Sequence, residues 1–236
     1  MQALNCPNCG AALSEKAVKS DLVVCEFCGT TFRVSKTHTP EPDMGDLMLG
    51  ADFNDDHIPG WEVLNREKLS FHKGSRSEMR GKFPPSDIAH YVLKSSGFLD
   101  DFDASISINF TGGEKEMIRA GFYPRFSDQG GYGVLISAQS TYTFGYFLRD
   151  EKGELKWNKF FGWTYHTALH DGFNKSNRLR VILEGERFRI YLNGVLATSF
   201  KDGRYKAGKL YVTVEPGSKQ ELGIVLTDLQ VREVPK

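Results

Sequence analysis

The 236-residue sequence has no net charge, since thirty Lys and Arg balance thirty Asp and Glu. That balance excludes a protein that grips a polyanion through its global charge, although a local basic patch stays open. No segment approaches the ~20 apolar residues that cross a bilayer, so no membrane partner is expected. The first residues, Met1-Gln2-Ala3-Leu4-Asn5-Cys6, contain neither a basic n-region nor an apolar h-region. No secretory signal is read there, and a cytoplasmic location is the expectation. Amphipathic helices are almost missing, with Ser86–Leu93 the nearest, weak candidate. A G-x-S-x-G elbow and a Gly-rich phosphate loop are both absent, which removes the usual signatures of serine hydrolases and nucleotide binders. Cysteine is scarce, with four residues and none beyond position 28. What remains is 40% hydrophobic and 12% aromatic, enough to bury a core.

The cysteines form two pairs, Cys6-Pro7-Asn8-Cys9-Gly10 and Cys25-Glu26-Phe27-Cys28-Gly29, with fifteen residues between them. Two thiolates separated by two residues can face one metal from a single tight turn, and two such turns supply a tetrahedron of sulfur. A glycine after each second cysteine permits the positive φ that folds backbone around the ion. Two disulfides are one alternative, disfavoured by a reducing cytosol. Iron in a rubredoxin-like centre is another, possible on ligand type. Residues 1–34 resemble the small zinc-ribbon family in the run CPNCGA…VVCEFCGTTFRV. The resemblance implies one structural zinc held by Cys6, Cys9, Cys25 and Cys28, with no ligand position open to substrate. A domain of 1–35 is too short to fold on its apolar core alone, so the metal is expected to stabilise it. Lys16, Lys19, Arg33 and Lys36 stand against Glu15, Asp21 and Glu26. So thin a basic face argues against nucleic acid and for a protein partner.

Residues 36–48 read as a flexible linker, with Pro40 and Pro42 and no periodicity before Asp43. From 49 to 236 short alternating runs recur, among them Ala104–Phe110, Arg180–Leu183, Phe188–Leu192 and Leu210–Val214. Alternation puts one side of each strand in a core. Turn residues separate the runs, and Glu184-Gly185 and Asn193-Gly194 are strong hairpin signals. The fold class is therefore all-β: a small ribbon plus two packed antiparallel sheets.

Several segments carry a resemblance for the region 49–236: Gly50-Ala51-Asp52-Phe53, Gly60-Trp61, Leu99–Asp103, Asn177–Val181, Tyr191–Gly194, Lys206–Tyr211 and Thr227–Val231. They resemble the concanavalin-A-like jelly-roll superfamily of lectins, laminin-G-like domains and glucanases, in particular its 3-keto-disaccharide hydrolase branch. Glucanase chemistry needs paired carboxylates on one strand, and no E-x-D-x-E run exists. Asp100, Asp101 and Asp103 read as a turn into the Ala104–Phe110 strand, and Glu114 and Glu116 as a surface loop. His166 and His170 stand four apart, but in a segment without helical pattern. A binding surface is the better reading, because sugar recognition combines aromatic faces with polar hydrogen-bonding groups. The candidates are Arg125, Asp128, Tyr142, Trp157, Trp163, Tyr165 and His166, with Trp157 and Trp163 favoured. The expected function is a non-catalytic adaptor whose ribbon docks a protein and whose sandwich holds a carbohydrate or protein ligand. The alternative is a carbohydrate-active hydrolase or lyase.

Overall fold

The computed structural model describes residues 6, 8–11, 22–33, 41–73 and 77–234. These residues include seventeen strands. In chain order they are β1 (Leu22–Val24), β2 (Thr31–Arg33), β3 (Leu47–Ala51), β4 (Trp61–Val63), β5 (Leu69–His72), β6 (Glu78–Phe83), β7 (His90–Ser95), β8 (Phe102–Gly112) and β9 (Arg119–Phe126). There follow β10 (Gly130–Ser137), β11 (Thr141–Arg149), β12 (Leu155–His166), β13 (Ser176–Glu184), β14 (Arg187–Leu192), β15 (Val195–Lys201), β16 (Lys209–Glu215) and β17 (Leu222–Arg232). A single 3-10 turn, Arg66–Lys68, interrupts the β structure among the described residues. No helix among them is long and apolar enough to cross a membrane.

The strands form two sheets. One runs β1-β2-β12-β11-β10-β9-β16-β7-β4, and the other β15-β14-β13-β8-β17-β6-β5, with β3 added on β17. Among the described residues all strand pairings are antiparallel except that of β2 with β12. The sheets bury one apolar core between them. Tyr132, Val134 and Ile136 of β10 and Tyr142 and Phe144 of β11 meet Ile106 and Ile108 of β8, Val181 and Leu183 of β13, and Phe188 of β14. The alternation that suggested strands is thus the alternation of core and outer face.

Ser86–Leu93 is not helical: a bend at Asp87 and Ile88 leads into β7 at His90. Ser86 bridges to Gly217, and β7 pairs with β4 and β16. The preceding Pro84-Pro85 and the aromatic and β-branched Tyr91 and Val92 suit a strand, and two neighbouring strands supply its backbone partners. The β14–β15 hairpin turns on Asn193 and Gly194, both at positive φ (48° and 82°), the geometry a two-residue hairpin needs. Asn177 ties its loop by accepting from His170 N at 2.7 Å and donating to His170 O at 3.0 Å.

Residues 41–46 have no regular structure but are pinned to the sandwich. Glu41 receives both hydrogen bonds of Arg178 Nη1 and lies 3.0 Å from Arg180, and the Pro42 carbonyl accepts from Arg180 at 2.9 Å. Arg180 in turn makes a bidentate pair with Asp103, at 2.8 and 2.6 Å. Asp103, expected in a turn, is instead a buried member of β8, which begins at Phe102.

Candidate functional site

Two places gather chemistry-bearing side chains. The first is the cysteine cluster, where two turns repeat one geometry. Gly10 N donates to Cys6 O and Cys6 N to Ala11 O, while Gly29 N donates to Cys25 O and Cys25 N to Thr30 O, all within 2.7–2.9 Å. Gly10 and Gly29 have φ of 74° and 70°, so both closing positions need glycine. The four Sγ atoms lie within 4.8 Å of one another. Across the turns Cys6 is 3.6 Å from Cys28 and Cys9 is 3.8 Å from Cys25. Sulfurs at ~2.3 Å from a tetrahedral ion stand about 3.8 Å apart, so the cluster has the size a zinc ion requires. It is too open for a disulfide, whose sulfurs are about 2.05 Å apart, and all four cysteines are free thiols.

The electrostatics of the cluster are uneven. Cys28 Sγ lies 3.3 Å from Thr30 Oγ1, and Asn8 Nδ2 donates to the same hydroxyl oxygen at 3.0 Å. Thr30, through its hydroxyl and then its backbone N–H, draws the Cys28 thiol down to about 6. The Ala11 backbone draws Cys9 down, but desolvation and the neighbouring sulfurs prevail and push it up to about 12.

The second place is a cleft of about 350 Å³ on the outer face of the nine-stranded sheet. Trp157 and Trp163 of β12 line it with Arg119 and Tyr123 of β9, Phe147 of β11 and Glu215 of β16. The seat of Trp157 is carved by two glycines. A Cβ on Gly133 would come within 2.8 Å of the indole, and one on Gly145 within 2.7 Å. The ring therefore rests directly on β10 and β11, with Phe147 against it at 4.9 Å between centroids. The Arg119 guanidinium stands 5.0 Å from the Trp163 ring and 3.2 Å from a Glu215 oxygen. Tyr123 donates to the other Glu215 oxygen at 2.9 Å. Burial, and then the Glu215 charge, push the Tyr123 phenol well above its ordinary value, so it remains a donor at any physiological pH. Lys159, Asp87 and Thr143 complete the polar lining. An aromatic floor bordered by donors and acceptors is the composition that holds a sugar ring.

Gly133→Ala tests the seat, because the three nearest atoms to the added methyl are side-chain atoms of Trp157 and Tyr123. The expected result is a shifted Trp emission spectrum with a melting temperature lowered by only a few degrees. An unchanged spectrum would mean that the indole does not rest on β10.

The residues expected on a ligand surface separate into three groups. Trp157 and Trp163 line the cleft. Arg125 and Tyr142 are core residues. Arg125 is 1% exposed and donates to the carbonyls of Asp100, Gly185 and Tyr205 and to Asp101. The reason is a bulge in β9: Arg125 has φ 50°, and the register with β16 slips there, which turns its side chain inward. Tyr142 is fully buried, with Phe161 5.2 Å away, and its hydroxyl donates to Ala197 O. His166 is also buried, its Nδ1 accepting from Ala168 N at 3.2 Å. Asp128 is exposed in the β9–β10 turn, where its carbonyl accepts from Arg149. Tyr165 is half-buried against Cys6, Val23 and Cys25.

Arg119, Tyr123 and Glu215 were not anticipated. The alternation Arg119, Gly121, Tyr123 along β9 would have placed the first and third on one face, but nothing local joins them to Glu215, 92 residues beyond Tyr123.

No protein-family model matches the sequence, and no curated protein does. Solved structures do. The carbohydrate binding module CBM66 from Bacillus subtilis aligns at 21% identity and TM-score 0.53, over 74% of this chain and 96% of that one. A GH16 protein of the Bacteroides ovatus mixed linkage glucan PUL aligns at 11% identity and TM-score 0.55, over 78% and 100%. The receptor binding domain of botulinum neurotoxin type G aligns at 13% and TM-score 0.52, over 80% of this chain and 48% of that one. The sandwich shares the two-sheet jelly-roll fold of these structures. At these identities the likeness is one of fold, and function has to be argued from the cleft.

Proposed function

We propose that the protein is a non-catalytic carbohydrate-binding adaptor of the cytoplasm, in which the cleft on the nine-stranded sheet holds a sugar and the four cysteines hold one structural zinc. The observation that carries the carbohydrate reading is the Trp157 indole laid on Gly133 and Gly145 inside a cleft whose border supplies Arg119, Lys159, Glu215 and Asp87. A ring pressed against the sheet offers its other side as a flat apolar platform, and the polar border offers partners for hydroxyls. Two of the compared structures carry carbohydrate names, a binding module and a glucan-related GH16 protein, which supports the same reading. In the cysteine cluster, Cys6, Cys9, Cys25 and Cys28 would hold the ion, with Asn8 and Thr30 orienting Cys28. A closed set of four thiolates supplies folding free energy and no catalysis. The ribbon then serves as the docking module for a protein partner.

A hydrolase or lyase would need an acid and a base free to act at the sugar. Glu215 already receives Tyr123 and Arg119, and the other cleft carboxylate, Asp87, comes from the bend before β7 and not from a strand beside Glu215. That engagement favours binding over chemistry.

The test is a glycan-array screen of the full chain beside its Trp157→Ala variant. Capture of one glycan class is expected, with at least ~10-fold loss in the variant, equivalent to about 1.4 kcal/mol. Equal capture by both proteins, or none by either, would contradict the proposal. Turnover of a captured glycan would move the protein to the hydrolase reading.

A further inference from the structure

The cysteine cluster and the cleft are built on the same strand. On one side β12 pairs with β11 along nearly its whole length, from Leu155 to Tyr165. On its other side, the one partner among the described residues is β2, which meets it at Tyr165 and His166 alone. Strand β2 follows directly on the second cysteine turn, as Thr31–Arg33 after Cys28-Gly29-Thr30. The contact is apolar as well as hydrogen-bonded, because Tyr165 packs on Cys6, Val23 and Cys25.

Trp163 lies two residues before Tyr165, and alternation puts both on the outer face. Thr164 between them pairs with core-facing Tyr142 and is itself buried. The outer face of β12 therefore presents Trp163 to the cleft and Tyr165 to the ribbon. The ladder is also broken at this point. Tyr142 pairs with Thr164 and Phe144 with Phe161, so Gly162 and Trp163 together oppose Thr143. Residues in such a bulge lose regular ladder bonds, and their direction is set by the paired residues that flank them. Downstream of Trp163 those flanking residues are Thr164, Tyr165 and His166, of which the last two are the ones that β2 holds.

We infer that the four-cysteine unit controls the cleft: metal-loaded, it clamps the end of β12 and holds Trp163 in its ligand-binding position, and metal-free, it releases that end and weakens binding. This rests on the proposed metal at the four cysteines, and on the carbohydrate reading only for what the cleft holds. Without β2 the end of β12 is held from one side only, by its β11 pairs Thr141 and Tyr142 and by the bond from His166 N to Ser140 O, so losing β2 shifts its local opening equilibrium. The released part contains Trp163, whereas Trp157 stays on its glycine seat, paired with Phe147 of β11. The ribbon would thus make ligand capture dependent on zinc supply.

The experiment compares full-length protein loaded with zinc and stripped by chelator under reducing conditions, using hydrogen exchange at single amides. In stripped protein the amides of Trp163–His166 are expected to exchange at least ~10-fold faster, while those of Val134 and Leu135 in β10 stay unchanged. Unchanged exchange at Trp163–His166 after the Cys25 and Gly29 amides have lost protection would overturn the inference. So would a purified protein that contains no metal, or a ribbon that stays protected when stripped. A second variant, Tyr165→Ala, leaves the cysteines intact. It should still carry one zinc per chain, and its β12 exchange should no longer respond to stripping; a full response would overturn the clamp. The glycan array, repeated with stripped protein, should show roughly tenfold weaker capture. Undiminished capture overturns the inference and leaves the carbohydrate reading intact. A blank array for loaded protein, with β12 exchange still responding to stripping, sustains the clamp and removes the carbohydrate reading.

Discussion

Replacing Asp103 with Ala is expected to lower the unfolding free energy by about 3–5 kcal/mol, the usual cost of removing one partner from a buried ion pair. The pair is deeply enclosed, with Arg180 1% and Asp103 2% exposed at the side chain, and it is bidentate. In the variant the Arg180 guanidinium remains inside, facing Glu41 and the Pro42 carbonyl at its Nη1, the more distant Asp43 carbonyl at Nη2, and the Tyr191 ring 5.8 Å away. Its Nε loses the partner it has. Domains of this size are stable by about 5–15 kcal/mol, so the loss would be a large fraction of the total. Urea unfolding followed by circular dichroism measures it. The double variant Asp103→Ala with Arg180→Met should recover part of the loss, because an apolar pair leaves no unmatched charge. A single-variant loss under about 1 kcal/mol would show that Glu41 and the backbone of residues 42–43 satisfy Arg180 unaided.

Metal removal is the second large effect. Structural zinc contributes an apparent 10–16 kcal/mol in isolated zinc-finger peptides, and a ribbon this short has little else to hold it. Among the described residues its buried apolar cluster is Cys6, Val23 and Cys25, with Ala11 and Tyr165 against it. Purified protein should contain about one zinc per chain. Stripping it, or introducing Cys9→Ser with Cys28→Ser, should abolish amide protection at Cys6, Gly10, Cys25 and Gly29, the donors that close the two turns. The sandwich, with its own core, should still unfold cooperatively near its original temperature. A metal-free protein with two disulfides and an intact ribbon would contradict the zinc assignment.

Features set by local geometry were legible in the sequence. Each C-x2-C-G turn is closed by its own backbone, and the structure brings the four sulfurs together. Asn193-Gly194 likewise needs only its own backbone to make a hairpin. Features set by distant partners were not. Arg125 sits in a run of alternating residues, and only the pairing with β16 reveals the bulge that turns it inward. Gly133 and Gly145 look like weak points in strands until the indole of Trp157, contributed by a third strand, is laid across them. The segment 36–48 has a linker's composition, yet Glu41 is held by Arg178, 137 residues away. Tyr165 was read as a ligand aromatic because nothing local shows β2 returning to β12.

The central claim is that the outer face of the nine-stranded sheet holds a sugar. The protein has three tryptophans, and Trp61 is buried in the core while Trp157 and Trp163 line the cleft. Indole N–H resonances of the zinc-loaded full chain, followed during titration with the glycan class captured on the array, separate these positions. The prediction is that the Trp157 and Trp163 signals move together and saturate while Trp61 stays still. Three unmoved signals, or movement of Trp61 alone, would contradict the account.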